Sequence, residues 1–370
     1  MKSGNSDRLL SLDALRGFDM LFIMGLSAVV TSSCNAFGFG DGCWLAHQMR
    51  HVEWHGFAQH DTIFPLFLFI AGVAFPFSCA KMREKGWSVS RICGKIAWRA
   101  FALFMLGMVY NGLFTNGFGE VRWASVLGRI GLAWAFAALL YLAFSLRIRI
   151  MVAVGLLVGY WVVMRYAIVP NAPAGSDPWS PDWNLAACID RAILPNPLGK
   201  TGADPEGILS TIPAVVTAML GMFTGEFVRW KGRFGGGVKS LAMLVAAAIL
   251  LVVGLAWSNW MPINKKLWTS TFVLVAGAYS LSLFAAFYWI VDVKMYRRWT
   301  FFFRVVGMNA ITVYLLQRIV DFDAVSKFFV GGVAGLLPSA WADVLVASGH
   351  LAVCWLILWF LYRKNVFLKV

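Results

Sequence analysis

Acidic residues are scarce in this chain: 18 Asp and Glu stand against 32 Lys and Arg in 370 residues, and charged side chains of both signs make up only 14%. No uninterrupted polar stretch is long enough for a soluble domain, which excludes the multidomain soluble enzyme that the length alone would allow. The six cysteines include no CxxC pair, so the common thiol redox and zinc-ribbon patterns are excluded. Histidine is scarcer, at five residues, and none sits in an HExxH motif.

What the chain has instead is apolar sequence. Hydrophobic residues make up 60% and the mean hydropathy is +0.71. Ten runs are long enough to cross a bilayer: Leu12–Thr31, Asp61–Ala80, Ile96–Phe114, Ala124–Leu146, Ile150–Val169, Ile208–Val228, Val238–Trp257, Trp268–Val291, Phe301–Val320 and Trp341–Tyr362. The expected fold class is therefore all-α, a polytopic integral membrane protein of about ten transmembrane helices. The longest gap, Pro170–Gly207, is rich in Pro, Asp, Asn and Trp and reads as an ordered external loop.

Cations alternate between gaps. Lys81, Arg83, Lys85, Arg91, Lys95 and Arg99 form one cluster, Arg147 and Arg149 a second, Arg229, Lys231, Arg233 and Lys239 a third, and Lys294, Arg297, Arg298 and Arg304 a fourth. Lys2, Arg8 and Arg16 precede the first span, and Arg363, Lys364 and Lys369 follow the last. The other gaps hold few, such as Arg50, Arg122, Arg191, Lys265 and Lys266. The positive-inside rule then places both termini in the cytoplasm. Loops facing anionic lipid account for the net charge of +14, and no nucleic-acid partner is expected. Asp13, Arg16 and Asp19 interrupt the first span, and no small-x-small site follows it, so it reads as a retained span. Cys34 and Cys43 fall on the external side, where an oxidising compartment would allow a disulfide.

Ionisable groups inside spans are functional candidates by default. Asp13 and Arg16 lie three apart on one helical face, either neutralising each other or presenting a cation to an anionic ligand. Arg129, near the external end of the fourth span, would snorkel to the interface or serve the site. Asn309 and Tyr314 sit inside the ninth span, where an asparagine commonly makes an interhelical hydrogen bond; Arg318 reads as snorkelling. Gly72, Gly107, Gly221 and Gly277 read as close-packing positions. Glu206 would cap the sixth span or bond a sugar hydroxyl. Asn264, Lys265 and Lys266 form an external turn that would line an acceptor entrance.

Four of the five histidines, His47, His51, His55 and His60, fall between the first two spans. His47, His51 and His55 recur every fourth residue, so a helix there would stack them on one face. Three readings stay open: a metal site with Glu53 or Asp61, interfacial histidines beside Trp44 and Trp54, or a catalytic imidazole acting as base or nucleophile. In the last, Asp61 orients the ring; otherwise it caps the second span.

Seven segments resemble, in order, those of the heparan-alpha-glucosaminide N-acetyltransferase family and its bacterial relatives among transmembrane acyltransferases. They are RLLSLDALRGFDMLFIMG, HVEWHGFAQHDTIFPLFLFIAG, VLGRIG, DPEGILSTIPAVVTAMLGMFTGE, PINKKLWTSTFVLV, YWIVDVK and GMNAITVYLLQRI. The resemblance covers nearly the whole chain and implies one transmembrane acyltransferase domain over residues 1–370. It implies transfer of acetyl from cytoplasmic acetyl-CoA, as donor substrate and without a metal, to a glucosamine-type amino sugar on the far side of a bacterial inner membrane. His51 opens the family's catalytic motif and Asp61 follows it, while Arg16 would meet the donor phosphates and Asn309 would supply an oxyanion donor. Ser27 stands where animal members carry an assisting asparagine. Those members also have a large lumenal domain with no counterpart in this sequence, so an acceptor other than heparan is expected. A homo-oligomer stays open. The rival classes are an amino-sugar transporter with His51 as proton relay and a metal-dependent membrane hydrolase.

Overall fold

The computed structural model describes residues 9–195, 204–232 and 234–368. Lys2, Arg8, Arg233 and Lys369, and positions 196–203 of the long external loop, lie outside them. Among the described residues all regular structure is helical. Among the described residues, nine helices are long and apolar enough to cross a bilayer: α1 Leu10–Ala36, α2 Gln59–Glu84, α3 Val89–Tyr110, α4 Val126–Ala143, α5 Leu146–Tyr166, α7 Ile208–Arg229, α8 Gly236–Trp257, α9 Ser270–Val293 and α13 Ser339–Arg363. The short α6, Leu185–Ile193, lies in the long loop between α5 and α7. A further span is built from two pieces, α10 Thr300–Gly307 and α11 Ala310–Ile319, bent by 65° to each other. The all-α, polytopic reading holds, and counting the bent pair as one span gives ten.

The centre is made by α2, α7 and α9, which bury most of their surface, while α5, α8 and α13 present most of theirs outward. Between helices in lipid there is no hydrophobic gradient, so close backbone approach must do the work. Gly72 of α2 lies against Ala218, and Gly221 of α7 against Phe69; a Cβ on either would fall on the partner's carbonyl oxygen. Gly221→Val is therefore expected to cost at least about 3 kcal/mol through overpacking or to prevent folding. Thermal unfolding in detergent checks this, with Gly155→Val, which meets open space on α5, as the neutral control.

Three elements differ from the sequence expectation. The third span begins at Val89 rather than Ile96, because Ser88 accepts a capping hydrogen bond from the Arg91 amide at 3.3 Å. Arg91 and Lys95, assigned to a loop by their charge, lie on this helix over the Trp87 ring at 4.2 and 5.4 Å. The ninth span, expected to be continuous, breaks at Met308–Asn309, where Asn309 has φ −121° and ψ 26°. An unforeseen helix, α12 Phe322–Ala334, follows it and packs on α13. At 13 residues it is about 20 Å long, too short to cross.

Within α1, a π-turn at Phe22–Leu26 contains Gly25 at φ +124°, which only glycine adopts readily. The Gln317 side-chain amide donates to the Ile23 carbonyl at 3.0 Å, and the ring of His350 lies beside Gly25. His350 itself bonds Asp323 through Nδ1 at 2.8 Å.

Candidate active site

The loop between α1 and α2 forms a single helical turn, Trp44–Gln48, and then runs irregularly to Gln59. Because that helix ends at Gln48, the expected stacking of His47, His51 and His55 on one face does not form. The Gln48 side-chain carbonyl accepts from the Gln59 amide at 2.9 Å, pinning the loop to the start of α2. Gly56, at φ +128°, turns the chain so that its amide donates to the Ile263 carbonyl at 2.9 Å. That bond lays the histidine loop along the 262–269 turn.

At this junction His51 and Asp61 meet. The ring Nδ1 lies 2.7 Å from Asp61 Oδ1, and the other carboxylate oxygen accepts from the Ala58 and Val52 amides at 3.3 and 3.4 Å. The carboxylate is thus buried and fixed by backbone donors, whereas the His51 side chain is 48% exposed. An anchored acceptor on Nδ1 selects the tautomer whose Nε2 carries the free lone pair. The Lys265 ammonium stands 3.3 Å from Asp61 Oδ1 and 3.0 and 3.4 Å from the two ring nitrogens of His51. Burial pushes the Lys265 pKa below the ordinary lysine range, with the Asp61 carboxylate opposing the shift.

The other histidines take different parts. The His60 ring lies against His51 with ring centres 4.5 Å apart and planes tilted by 55°, and its Nδ1 lies 3.1 Å from Ser27 Oγ. His55 Nδ1 faces the Asn264 amide at 3.4 Å, and burial lowers its pKa against the pull of Asp177. His47 is exposed on the short helix. Among the described residues no group of three His, Cys, Asp or Glu side chains could hold a metal ion. The Cys34 and Cys43 Sγ atoms lie 2.9 Å apart as free thiols. Peptide mapping without reductant, on protein taken from an oxidising compartment, is expected to recover residues 34 and 43 as one cross-linked fragment.

Other expected site residues are placed differently. Asn264 is fully buried and serves its own turn, its Oδ1 accepting from the Leu267 amide at 2.9 Å, so it does not line an entrance. Glu206 does not cap α7. Its carboxylate pairs with Arg122, which also clamps Asp204, and the cap is Asp190 of α6, whose Oδ1 accepts from the Ile208 amide at 2.9 Å. Burial opposes the Arg122 charge, but the two carboxylates outweigh it and hold its pKa above the ordinary value. Arg129 does not snorkel: it is buried, bonds Ser210 Oγ and the Gly207 carbonyl, and lies 4.9 Å over the Trp268 ring. Arg318 is exposed, as a snorkelling residue would be. Asn309 is buried at the helix break, with neither side-chain atom hydrogen-bonded and no contact to His51 among the hydrogen bonds described. An interhelical bond for it is thus not found.

Arg122, Asp190, Asp204 and Arg99 were not singled out from the sequence. A carboxylate pair two residues apart in DPEG needs a cation, and that signal could have found Arg122. Burial raises the Asp190 pKa to about 6, against the lowering effect of the Ile208 amide. A raised carboxylate favours the folded state below its unfolded pKa, and that contribution is lost as pH rises through about 6. Wild-type protein is therefore expected to gain a few degrees in Tm relative to Asp190→Asn when the pH is lowered from about 7.5 to about 5.

At the opposite end of the bundle from His51, Arg16 and Arg99 line a cavity of about 470 Å³ together with Phe67, Ile311 and Phe367. Asp13 stands 3.8 Å from Arg16, and Arg99 lies 4.5 Å over the Trp134 ring. A small apolar pocket of about 20 Å³ shares the Phe67, Leu127, Ile130 and Ile311 walls and is also lined by Phe64 and Tyr314. Lys265 Nζ lies 5.6 Å from the ring of Phe64, the lining residue nearest in sequence to Asp61.

No family model matches the chain. Among curated proteins, the heparan-alpha-glucosaminide N-acetyltransferase of Homo sapiens is 27% identical over 98% of this chain and 60% of its own length. That of Mus musculus is 26% identical over 100% of this chain and 61% of its own. The chain thus spans about 60% of the length of the curated relatives it matches. The similarity thus extends over nearly the whole chain, at 26–27% identity, to the heparan-alpha-glucosaminide N-acetyltransferases of these two organisms.

Proposed function

We propose that this chain is a transmembrane acetyltransferase, one membrane domain that moves acetyl from acetyl-CoA at the Arg16 end to the amine of an amino sugar at the His51 end. The observation that carries the reading is an imidazole held by a buried carboxylate, with a cavity lined by two arginines and an adjoining small apolar pocket towards the other end of the bundle. Cations suit the donor's phosphates, and an apolar path between the two ends, which the proposal requires, would suit a pantetheine arm. With the basic gaps inside, both termini and the donor lie in the cytoplasm of a bacterial inner membrane, and the acceptor lies outside.

In the transfer, the acceptor nitrogen attacks the thioester carbon. A carbon–nitrogen bond forms, the carbon–sulfur bond breaks, and the amine proton passes to His51 Nε2 and then to the departing thiolate. Asp61 holds the Nδ1 proton and stabilises the imidazolium. The alternative order, in which Nε2 first accepts the acetyl group, uses the same contacts. The oxyanion needs a fixed donor. Lys265, within 3.4 Å of both ring nitrogens, is placed to serve as that donor, and Ser27 takes part through His60.

The test is CoA release by purified protein in nanodiscs given acetyl-CoA and glucosamine. Acceptor-dependent thiol release with formation of N-acetylglucosamine supports the reading. Sugar uptake into sealed vesicles without any CoA release would sink it in favour of a transporter.

A further inference from the structure

A second large cavity, of about 590 Å³, shares no lining residue with the two described above. It is a groove along α4, walled by α5 and α7, and it opens sideways on the lipid-facing surface, where Phe136 and Ile212 are 57% and 40% exposed. From Arg129 to Leu140 it follows α4 for about 17 Å, more than half the hydrocarbon thickness of one bilayer. Its lining is apolar along that length, and its charged groups, Arg129 and Glu206, both lie at the His51 end.

Arg129 is the unusual member. Its residue is 96% buried (4% exposed), yet Nε and Nη1 have no hydrogen-bond partner. Unbonded guanidinium nitrogens in so dry a place are costly and call for an oxygen acceptor. The Arg129 guanidinium lies on the Trp268 ring, the Trp268 amide donates to the Lys265 carbonyl at 3.0 Å, and the Lys265 ammonium reaches His51. The charges of Glu206 and Arg129 also act on the Lys265 ammonium. The polar end of the groove therefore abuts the proposed acetyl-transfer centre, while its apolar length runs away into the bilayer. That is the shape and polarity of an amphiphile with one hydrocarbon chain.

We propose that the acceptor is a lipid-linked amino sugar whose chain lies in the groove along α4 and whose head-group oxygens are held by Arg129. This rests on the acetyltransferase reading above. The gain comes from placement: lipid tails are as apolar as the groove, so a chain gains little by leaving the bilayer. It gains orientation, because a head group fixed at Arg129 presents its amine towards His51.

The test compares methyl and dodecyl glucosaminide as acceptors, with acetyl-CoA, in nanodiscs. Wild type is expected to acetylate the dodecyl compound with at least tenfold higher kcat/KM. Leu132→Trp and Ile212→Trp, on two different helices lining the groove, are each expected to erase that preference and leave the methyl rate unchanged. Arg129→Gln is expected to lower kcat for the dodecyl compound. Equal kcat/KM for the two acceptors in wild type, or a preference that survives both tryptophans, would overturn the proposal. So would retention of ordinary phospholipid by wild type in native mass spectrometry, lost in both tryptophan variants, with equal rates on the two acceptors. No acetylation of either acceptor by wild type would instead refute the acetyltransferase reading itself.

Discussion

His51→Ala is expected to lower acetyl transfer by about 10²–10⁴, the contribution of a positioned general base, with little change in Tm. The side chain is half exposed and packs no core, so the fold should survive its loss. Asp61→Asn is the sharper companion. The carboxylate receives the Nδ1 hydrogen and two backbone amides, and an amide in its place can present its NH₂ to the ring and favour the wrong tautomer. Its effect on kcat is expected to approach that of removing the imidazole. Because Asp61 is buried and its Oδ2 accepts from the Ala58 amide before α2, the Asn variant should also lose stability, which a Tm measurement separates from the kinetic loss. Should His51→Ala retain more than a tenth of the wild-type rate, the base lies elsewhere, and His60 is the next ring to replace.

Ile311→Trp is expected to have the second largest effect. Ile311 borders both the cavity at the Arg16 end and the adjoining small pocket, which holds only about 20 Å³ and through which the proposed donor arm would pass. An indole there leaves no room for an extended arm. Transfer in nanodiscs is expected to fall by about 10² or more, an estimate that follows from misplacing the reacting carbon by more than about 1 Å. Binding of acetyl-CoA to the outer part of the cavity, read by calorimetry, should persist, since Arg16 and Arg99 are untouched. A Trp variant that transfers acetyl at the wild-type rate would show that the donor takes another route.

Much of the architecture was legible because lipid imposes a simple code of long apolar helices with charges at their ends. The spans beginning at Ile208 and ending at Trp257 and Arg363 lie within a few residues of where hydropathy puts them. The code fails where charge sits within a helix. Arg91 and Lys95 looked like loop residues because a sliding hydropathy window cannot see that a capped helix begins at Val89 and carries these exposed cations over the Trp87 ring. Arg129 looked like an interfacial residue because its partners, the Gly207 carbonyl and Ser210, come from more than seventy positions later in the chain. The break at Asn309 carries no proline, so nothing local announced it.

The site was legible in a different way. The pairing of His51 with Asp61 follows from a ten-residue spacing that the motif itself contains, and the two groups meet at 2.7 Å. Lys265 was expected only at an entrance, and its position against both members of the pair depends on the Gly56–Ile263 backbone bond that joins two loops some two hundred residues apart. Long-range closure of that kind leaves no periodic trace.

The widened turn at Phe22–Leu26 sets the angular phase of the first helix. A π-turn accommodates one extra residue, and Gly25 within it leaves helical φ/ψ, so the side chains beyond it lose the phase that an unbroken α-helix would give them. Arg16 and Ser27 are eleven residues apart, which in a regular helix would put them nearly in line on one side. The offset lets the first point into the cationic cavity while the second meets His60. Gly25, Gln317 and His350 thus act as a rotational key: losing a single residue from this turn would leave both ends of the helix intact and turn the serine off its histidine.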